Sequence, residues 1–386
     1  NYIKPTNSTE QKIYDIIKEL IHFDFSITDD FENDLGLDSL NMTILYSKLY
    51  YSKISIQDLY TYPTVKDLAY VIKKEDTSEL ESDTENIPIL NSSDKINMEK
   101  ILLTGATGFV GTHLLKELAF NENIKKIYCI VRQKLNLTSE ERFKQIIQNY
   151  FDEETCKLIK KKCVIVNGDL RKNNLGVSPN DYNKIFKDIT AIINTAANVK
   201  HIGRYSTFYT DNVETVNNLI KICLDFNISL AHISTLSLNG YNNSNVKEQF
   251  TENTLNINQT FNKNPYLISK YEAEKNILKN ISENNLNAKI FRIGNIMPRI
   301  SDGVFQINYE QNGFLMALNE LTKLNIISEE LQKSTLYLTP VDECCKAICT
   351  ILNSNYGNTI YHIESNQKIK VSSIIDTFSR RNISFS

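Results

Sequence analysis

No stretch of this sequence approaches the roughly 18–20 consecutive apolar residues a membrane-spanning helix needs, and its start lacks the apolar core of a signal peptide. No Cys-x-x-Cys pair occurs among its seven cysteines (129, 156, 163, 223, 344, 345 and 349), and its five histidines form no metal-spaced cluster with them. An odd number of cysteines, several inside apolar runs, reads as reduced thiols in a cytoplasmic protein with no metal site. No basic stripe interleaved with aromatics marks a nucleic-acid surface. These absences argue against a membrane span, a disulfide scaffold, a metalloenzyme and a nucleic-acid partner. The first residue is Asn rather than Met, so the sequence reads as a piece of a longer polypeptide.

What is present is an ordinary globular composition over 386 residues, enough for two or three domains. Charge is unevenly spread. Residues 1–74 hold 8 Lys/Arg against 11 Asp/Glu, residues 75–99 hold 1 against 8, and residues 100–386 hold 34 against 27. A basic body behind an acidic head suits an anionic cofactor and an intramolecular docking partner, although a chance imbalance of solvated faces gives the same numbers.

The stretch Thr104-Gly105-Ala106-Thr107-Gly108-Phe109-Val110-Gly111 follows the apolar run Ile101-Leu102-Leu103 and opens onto a segment with helical spacing. Strand, glycine turn, helix is the setting in which such a turn binds a dinucleotide: the glycines permit a tight reversal, and the helix start offers free N–H groups. From residue 99 onward strand and helix alternate. Strands are expected at 100–104, 126–131, 163–167, 190–194, 229–234 and 288–293, and helices near 111–120, 139–150, 207–226 and 266–281. That order predicts an α/β, Rossmann-type doubly wound parallel sheet.

Ahead of it, residues 9–23 put Ile13, Ile16, Ile17, Leu20 and Ile21 on one helical face. A second helix opens at Ser39 and a last one runs from Val65 to Lys73, so residues 1–75 form a small all-α domain. By residue type alone, Asp38-Ser39 is a helix N-cap. Residues 76–98 are acidic and weakly periodic and read as a linker, in which Ile87-Pro88-Ile89-Leu90 is apolar enough to pack on the next domain.

The second strand ends in Arg132, where an NAD-preferring turn would place Asp or Glu. A carboxylate repels a ribose 2′-phosphate and an arginine pairs with it, so NADP(H) is expected, with Arg142 as a second phosphate contact. Tyr266 and Lys270 stand at i and i+4 on one helix face. A nearby ammonium stabilises a phenolate, so Lys270 is expected to lower the Tyr266 pKa and improve it as a proton donor. Ser234 and Thr235 close the fifth strand with hydroxyls directed toward that helix.

Two resemblances follow from these residues. Asp-Phe-Glu-Asn-Asp-Leu-Gly-Leu-Asp-Ser-Leu (30–40), with Tyr-Pro-Thr-Val (62–65), resembles the four-helix acyl or peptidyl carrier domains of polyketide and non-ribosomal peptide synthetases. It implies a 4′-phosphopantetheine arm on Ser39, attached by a phosphopantetheinyl transferase. Residues 99–386 resemble the thioester reductases that end such assembly lines, which are extended short-chain dehydrogenases/reductases. The matching motifs are the glycine turn, Tyr-Cys-Ile-Val-Arg, Gly-Asp-Leu, His-Ile-Ser-Thr-Leu-Ser, Tyr-Leu-Ile-Ser-Lys, Arg-Ile-Gly-Asn-Ile and Leu-Thr-Pro-Val-Asp. The resemblance implies Thr235, Tyr266 and Lys270 as catalytic residues, Ser234 being one residue off. It implies cofactor contacts from Gly105, Thr107, Gly108, Phe109, Val110, Gly111, Arg132, Arg142, Asp169, Leu170, Ala196, Ala197, Tyr266, Lys270, Gly294 and Asn295. A substrate subdomain is expected within about 295–340, with Phe305, Tyr309, Phe314, Leu315 and Met316 as candidate lining. The implied reaction is NADPH-dependent release of a carrier-bound thioester as an aldehyde, with upstream synthetase domains as partners. The alternatives are an epimerase acting on a nucleotide sugar and a non-catalytic NADP-binding scaffold. The chain stops at Phe385-Ser386, where the resemblance leads one to expect more residues.

Overall fold

The computed structural model describes residues 2–49, 54–76, 89, 94–134, 136–200, 205–240, 249–261, 264–309, 312–324 and 328–380. Its first part is helical: α1 (Ser8–Ile21), α2 (Ser39–Lys48), α3 (Ile56–Thr61) and α4 (Val65–Asp76). Ile13 and Ile17 of α1, Met42 and Leu45 of α2, Leu59 of α3 and Leu68 and Ile72 of α4 meet around Phe31 in one apolar core. Helix α3 completes the four helices that the carrier resemblance implied, although residue spacing placed only the other three. Its six residues are too few to show periodicity, and its start is fixed by a capping box of Ser55 and Asp58. The acidic stretch 76–98 lies mostly outside the described residues; Ile89 packs on the core of the following sheet.

From Lys100 the order is β1 (Lys100–Thr104), α5 (Phe109–Phe120), β2 (Lys126–Val131), α6 (Ser139–Tyr150), α7 (Glu153–Lys162), β3 (Cys163–Asn167), α8 (Pro179–Asp188) and β4 (Ala191–Asn194). Then follow α9 (Tyr205–Phe208), a π-helical turn (Tyr209–Glu214), α10 (Thr215–Phe226), β5 (Ser229–Thr235), α11 (Pro265–Asn284) and β6 (Ala288–Ile293). The last elements are β7 (Asn295–Met297), α12 (Gly313–Leu324), α13 (Glu329–Lys333), β8 (Thr335–Pro340), α14 (Val341–Asn353), β9 (Ile360–Ile363), β10 (Lys368–Lys370) and α15 (Val371–Ser379).

Strands β3-β2-β1-β4-β5-β6-β9 form one parallel sheet. Apolar side chains leave both faces, as a sheet covered on both sides requires. Ile101 and Leu103 join Leu114 of α5 and Ile348 of α14 in one core. Leu102 joins Leu219 of α10 and Ile277 of α11 in the other. The strand order reverses between β1 and β4, the position where parallel sheets of this kind open a crevice at their carboxyl ends. Every expected strand is present. The sequence reading did not contain β9, the small β10-β8-β7 sheet, or helices α7, α8 and α14.

The helical part rests on the outside of α9 and α11. The Tyr70 ring of α4 stacks on Tyr205 with centroids 4.6 Å apart, and its hydroxyl donates to Glu272 at 2.6 Å. Ser206 Oγ donates to Asp67 at 3.1 Å. Glu272 and Ile268 lie on the face of α11 turned away from Tyr266 and Lys270, and Ile268 packs against the helical core.

Candidate active site

Gly105 closes the turn after β1 with φ +72°, and a Cβ there would come within 2.5 Å of Thr195 Oγ1 and 2.7 Å of Ala196 N. A Cβ on Gly111 would run into Gly105 O. Only glycine lets α5 start this close to β4. The turn therefore brings Gly105, Thr107, Gly108, Ala196 and the start of α5 together. Phe109 and Val110 are half-buried, and Phe109 meets the edge of Phe305 at 5.4 Å. Among the other candidate lining residues, Phe314 and Leu315 are half-buried, and Tyr309 and Met316 are exposed.

Past the carboxyl ends of β2 and β3 lies an open cavity of about 480 Å³, bounded by Arg132, Lys134, Arg142, Asp169, Arg171 and Lys172 among others. Arg142 Nη1 donates to the Arg132 carbonyl at 2.9 Å. Burial, together with the charge of Arg132, pushes the Arg142 pKa down. Five cationic side chains (Arg132, Lys134, Arg142, Arg171 and Lys172) face the single carboxylate of Asp169 in this wall, so the position favours an anion. Asp169 is gripped by Arg171 through Nε at 3.0 Å and Nη2 at 2.7 Å, which lowers the carboxyl's pKa. Leu170 instead packs on the second core. Lys134, Arg171 and Lys172 were not singled out from the sequence, though Arg171 stands only two residues beyond Asp169. A glycine cradle leading into a cationic cavity fits a phosphorylated dinucleotide.

The catalytic candidates gather at the carboxyl ends of β5 and β6. Thr235 is the last residue of β5, and its side chain is hydrogen-bonded to the phenol of Tyr266 in the first turn of α11. Asn264 caps that helix by accepting from the N–H groups of Tyr266 and Leu267. Ser234 Oγ is buried without a partner among the described residues. Gly294 and Asn295 follow β6 on the same edge, and the Gly294 N–H donates to Ile363 O at 2.9 Å.

Lys270 is buried, and its Nζ donates to the Ile233 carbonyl at 2.6 Å and lies 3.2 Å from His232 Nε2. Burial pushes its pKa down to about 8. Burial likewise pushes the Tyr266 phenol up to about 12, with the Thr235 hydrogen bond pulling against it. The expectation of a Tyr266 pKa below the ordinary tyrosine value is thus corrected: the net shift is upward. Desolvation dominates the phenol, and the ammonium is committed to β5. His232 belongs to a quoted motif but was given no role; its partner is 38 residues away, so no local spacing reveals the contact.

On the helical part, Asp38 rather than Ser39 is the N-cap: its carboxylate accepts from Asn41 N at 2.8 Å. Ser39 is the first helical residue and exposed, its hydroxyl free of the capping duty that residue type alone assigned it. Among the described residues, no group of three or more His, Cys, Asp or Glu could hold a metal ion, and no helix is long and apolar enough to cross a membrane. The seven cysteines are free.

A family model described as "Male sterility protein" matches residues 103–348, and one described as "Phosphopantetheine attachment site" matches residues 11–72. The chain is 28% identical over 302 residues to "Probable polyketide synthase 34" of Dictyostelium discoideum, an alignment covering 70% of this chain and 10% of that protein. It is 30% identical over 223 residues to "Probable polyketide synthase 6" of the same organism, with coverage of 55% and 7%. The chain thus spans about a tenth of the length of such relatives. Among solved structures it resembles a thiolation-reductase di-domain from an archaeal non-ribosomal peptide synthetase. Identity there is 27% and the TM-score 0.73, over 100% of this chain and 84% of that one. The terminal R domain of the myxalamid PKS-NRPS pathway shares the fold at 22% identity and TM-score 0.64, covering 82% of this chain and 78% of that one.

Proposed function

This chain belongs to the male sterility protein family, and on that premise we propose that it is the terminal carrier–reductase module of a cytoplasmic peptide or polyketide synthetase, releasing a carrier-bound thioester by NADPH-dependent reduction. One observation carries the reading: an exposed serine at a helix start, and a buried threonine and lysine grouped with a half-buried tyrosine, occur in one chain. The carrier helices, moreover, pack on the back of the helix that bears the tyrosine.

Ser39 is the attachment point for a 4′-phosphopantetheine arm, added by a phosphopantetheinyl transferase. The helix start favours the new phosphodiester, and Asp38 keeps α2 capped whether or not the arm is present. Gly105, Thr107, Gly108, Gly111, Ala196 and Ala197 cradle the dinucleotide, and Arg132 and Arg142 select a 2′-phosphate over a free ribose hydroxyl. When bound, the reduced nicotinamide supplies hydride and the arm presents the thioester carbonyl. Thr235 and Tyr266 donate hydrogen bonds to the carbonyl oxygen as negative charge develops there, and Tyr266 delivers the proton. With a phenol pKa near 12 that proton is always present at neutral pH. Lys270, still largely charged at pH 7, supplies the positive field that a phenolate left behind requires. The products are an aldehyde and the free pantetheine thiol; a second reduction to the alcohol is open to the same residues. The nucleotide-sugar and scaffold alternatives leave Ser39 and its helices without a use.

The test is intact-protein mass after a phosphopantetheinyl transferase loads an acyl-pantetheine group from acyl-CoA. Loss of the acyl group alone, and only with NADPH, is expected. Failure of Ser39 to load, or persistence of the acyl group with NADPH across a panel of chain lengths, would reject the reading.

A further inference from the structure

An ammonium buried as deeply as that of Lys270 persists only where acceptors replace its water. Among the described residues two groups are in reach: the Ile233 carbonyl at 2.6 Å and His232 Nε2 at 3.2 Å. His232 is itself buried to 1% exposure. Its Nδ1 lies 3.1 Å from Asn194 Nδ2, and Asn194 Oδ1 accepts from Thr104 Oγ1 at 2.5 Å. A line of side chains thus runs from β1 through β4 and β5 to Lys270 on α11.

The chemistry of this line admits two self-consistent states. With Asn194 Nδ2 toward the ring, Nδ1 accepts, the ring proton sits on Nε2, and the lysine facing it must be the uncharged amine, because an ammonium has no lone pair to offer. With the amide turned over, Asn194 Oδ1 accepts from Nδ1–H, and the bare Nε2 accepts from a charged Lys270. The two states differ by one proton, so ring tautomer and lysine charge are one variable.

We propose that His232 is a positioning residue for Lys270: its bare Nε2 seats the lysine as an ammonium on the Tyr266 face of α11, and Asn194, backed by Thr104, sets the ring tautomer that makes this possible. The inference rests on the reading of Lys270 as part of the reductive site. Of the surrounding charges, that of Glu274 raises the Lys270 pKa against the larger effect of burial. Glu274, further along α11, is tied at 2.8 Å to Arg292 of β6, with both side chains fully buried. The strands behind contribute the neutral Asn194 and Thr104. Burial keeps the His232 ring uncharged, and with the Tyr266 phenol near 12, a rate limb near pH 8 belongs to Lys270.

The test reads both ends of the line. In wild-type protein labelled with ¹⁵N-histidine, the His232 ring is expected to be the Nδ1–H tautomer below the alkaline limb of kcat for thioester reduction, and to pass to Nε2–H across it. His232→Leu removes an acceptor from a buried ammonium and is expected to move that limb to lower pH by about one unit or more. His232→Gln, which carries an acceptor at about the reach of Nε2, is expected to move it back. A single tautomer throughout the pH range, or a limb unmoved in a folded His232→Leu protein, would overturn the proposal. If His232→Leu fails to fold, the wild-type tautomer titration decides alone. Absence of any NADPH-dependent release in wild type would reject the reductase reading instead, and the ring titration would still report on the seat.

Discussion

Ser39 and Lys270 stand at opposite extremes of one chain. The serine is exposed at the start of α2, with its helix capped by a neighbour. The lysine is 3% exposed and held between a backbone carbonyl and a buried imidazole. A residue modified by another enzyme has to be reachable, whereas a residue that tunes a proton donor has to be shielded, because its field is worth several-fold more where water is excluded. The carrier supplies reach and the reductase supplies enclosure.

The variants that bear on this contrast differ in expected size. Ser39→Ala is expected to abolish release of carrier-borne substrate entirely, read by intact mass. Melting should stay within about 0.5 kcal/mol of wild type, since the residue is exposed and Asp38 does the capping. A free acyl-pantetheine should still be reduced; if it is not, reach and enclosure are not separable. Tyr266→Phe should lower the reduction rate by about 10²–10⁴-fold on either substrate, with NADPH affinity from fluorescence titration little changed. Arg132→Ala and Arg142→Ala should each raise the KM for NADPH by about 10-fold or more while leaving that for NADH nearly unmoved. Tyr70→Phe removes the hydroxyl's hydrogen bonds to Glu272 and Tyr205 between the two parts, worth about 1–3 kcal/mol. It should slow single-turnover reduction of the carrier-borne thioester several-fold and leave the free thioester unaffected.

Much of this arrangement was legible. The run Ile101–Leu103 before a glycine turn announced β1 and α5, and Ser39 was visible because its whole site is one contiguous loop. The Tyr266–Lys270 pair was visible because one helix turn joins them. Helix α14 could have been found: Val341, Cys344, Cys345, Ile348 and Leu352 are buried at helical spacing, beyond 266–281, the last helix expected. Strand β9 is four residues long, too short for a pattern to separate it from a loop. The seat of Lys270 was out of reach for a different reason. Thr104, Asn194 and His232 lie on three strands that only the parallel sheet makes adjacent. Burial, which sets the sign of the Tyr266 shift, is likewise a property of the assembled layers.

Helix α11 has one further consequence. Its inward face holds Tyr266 and Lys270, and its outward face receives Tyr70 through Glu272 and packs Ile268 against the carrier core. The two parts are therefore not interchangeable cassettes cut at the acidic stretch between them. A foreign carrier grafted in front of this reductase would have to present an aromatic hydroxyl to Glu272 and a carboxylate to Ser206, or it would arrive at a wall built for another guest. Portability of such a module is decided on the back of its own catalytic helix.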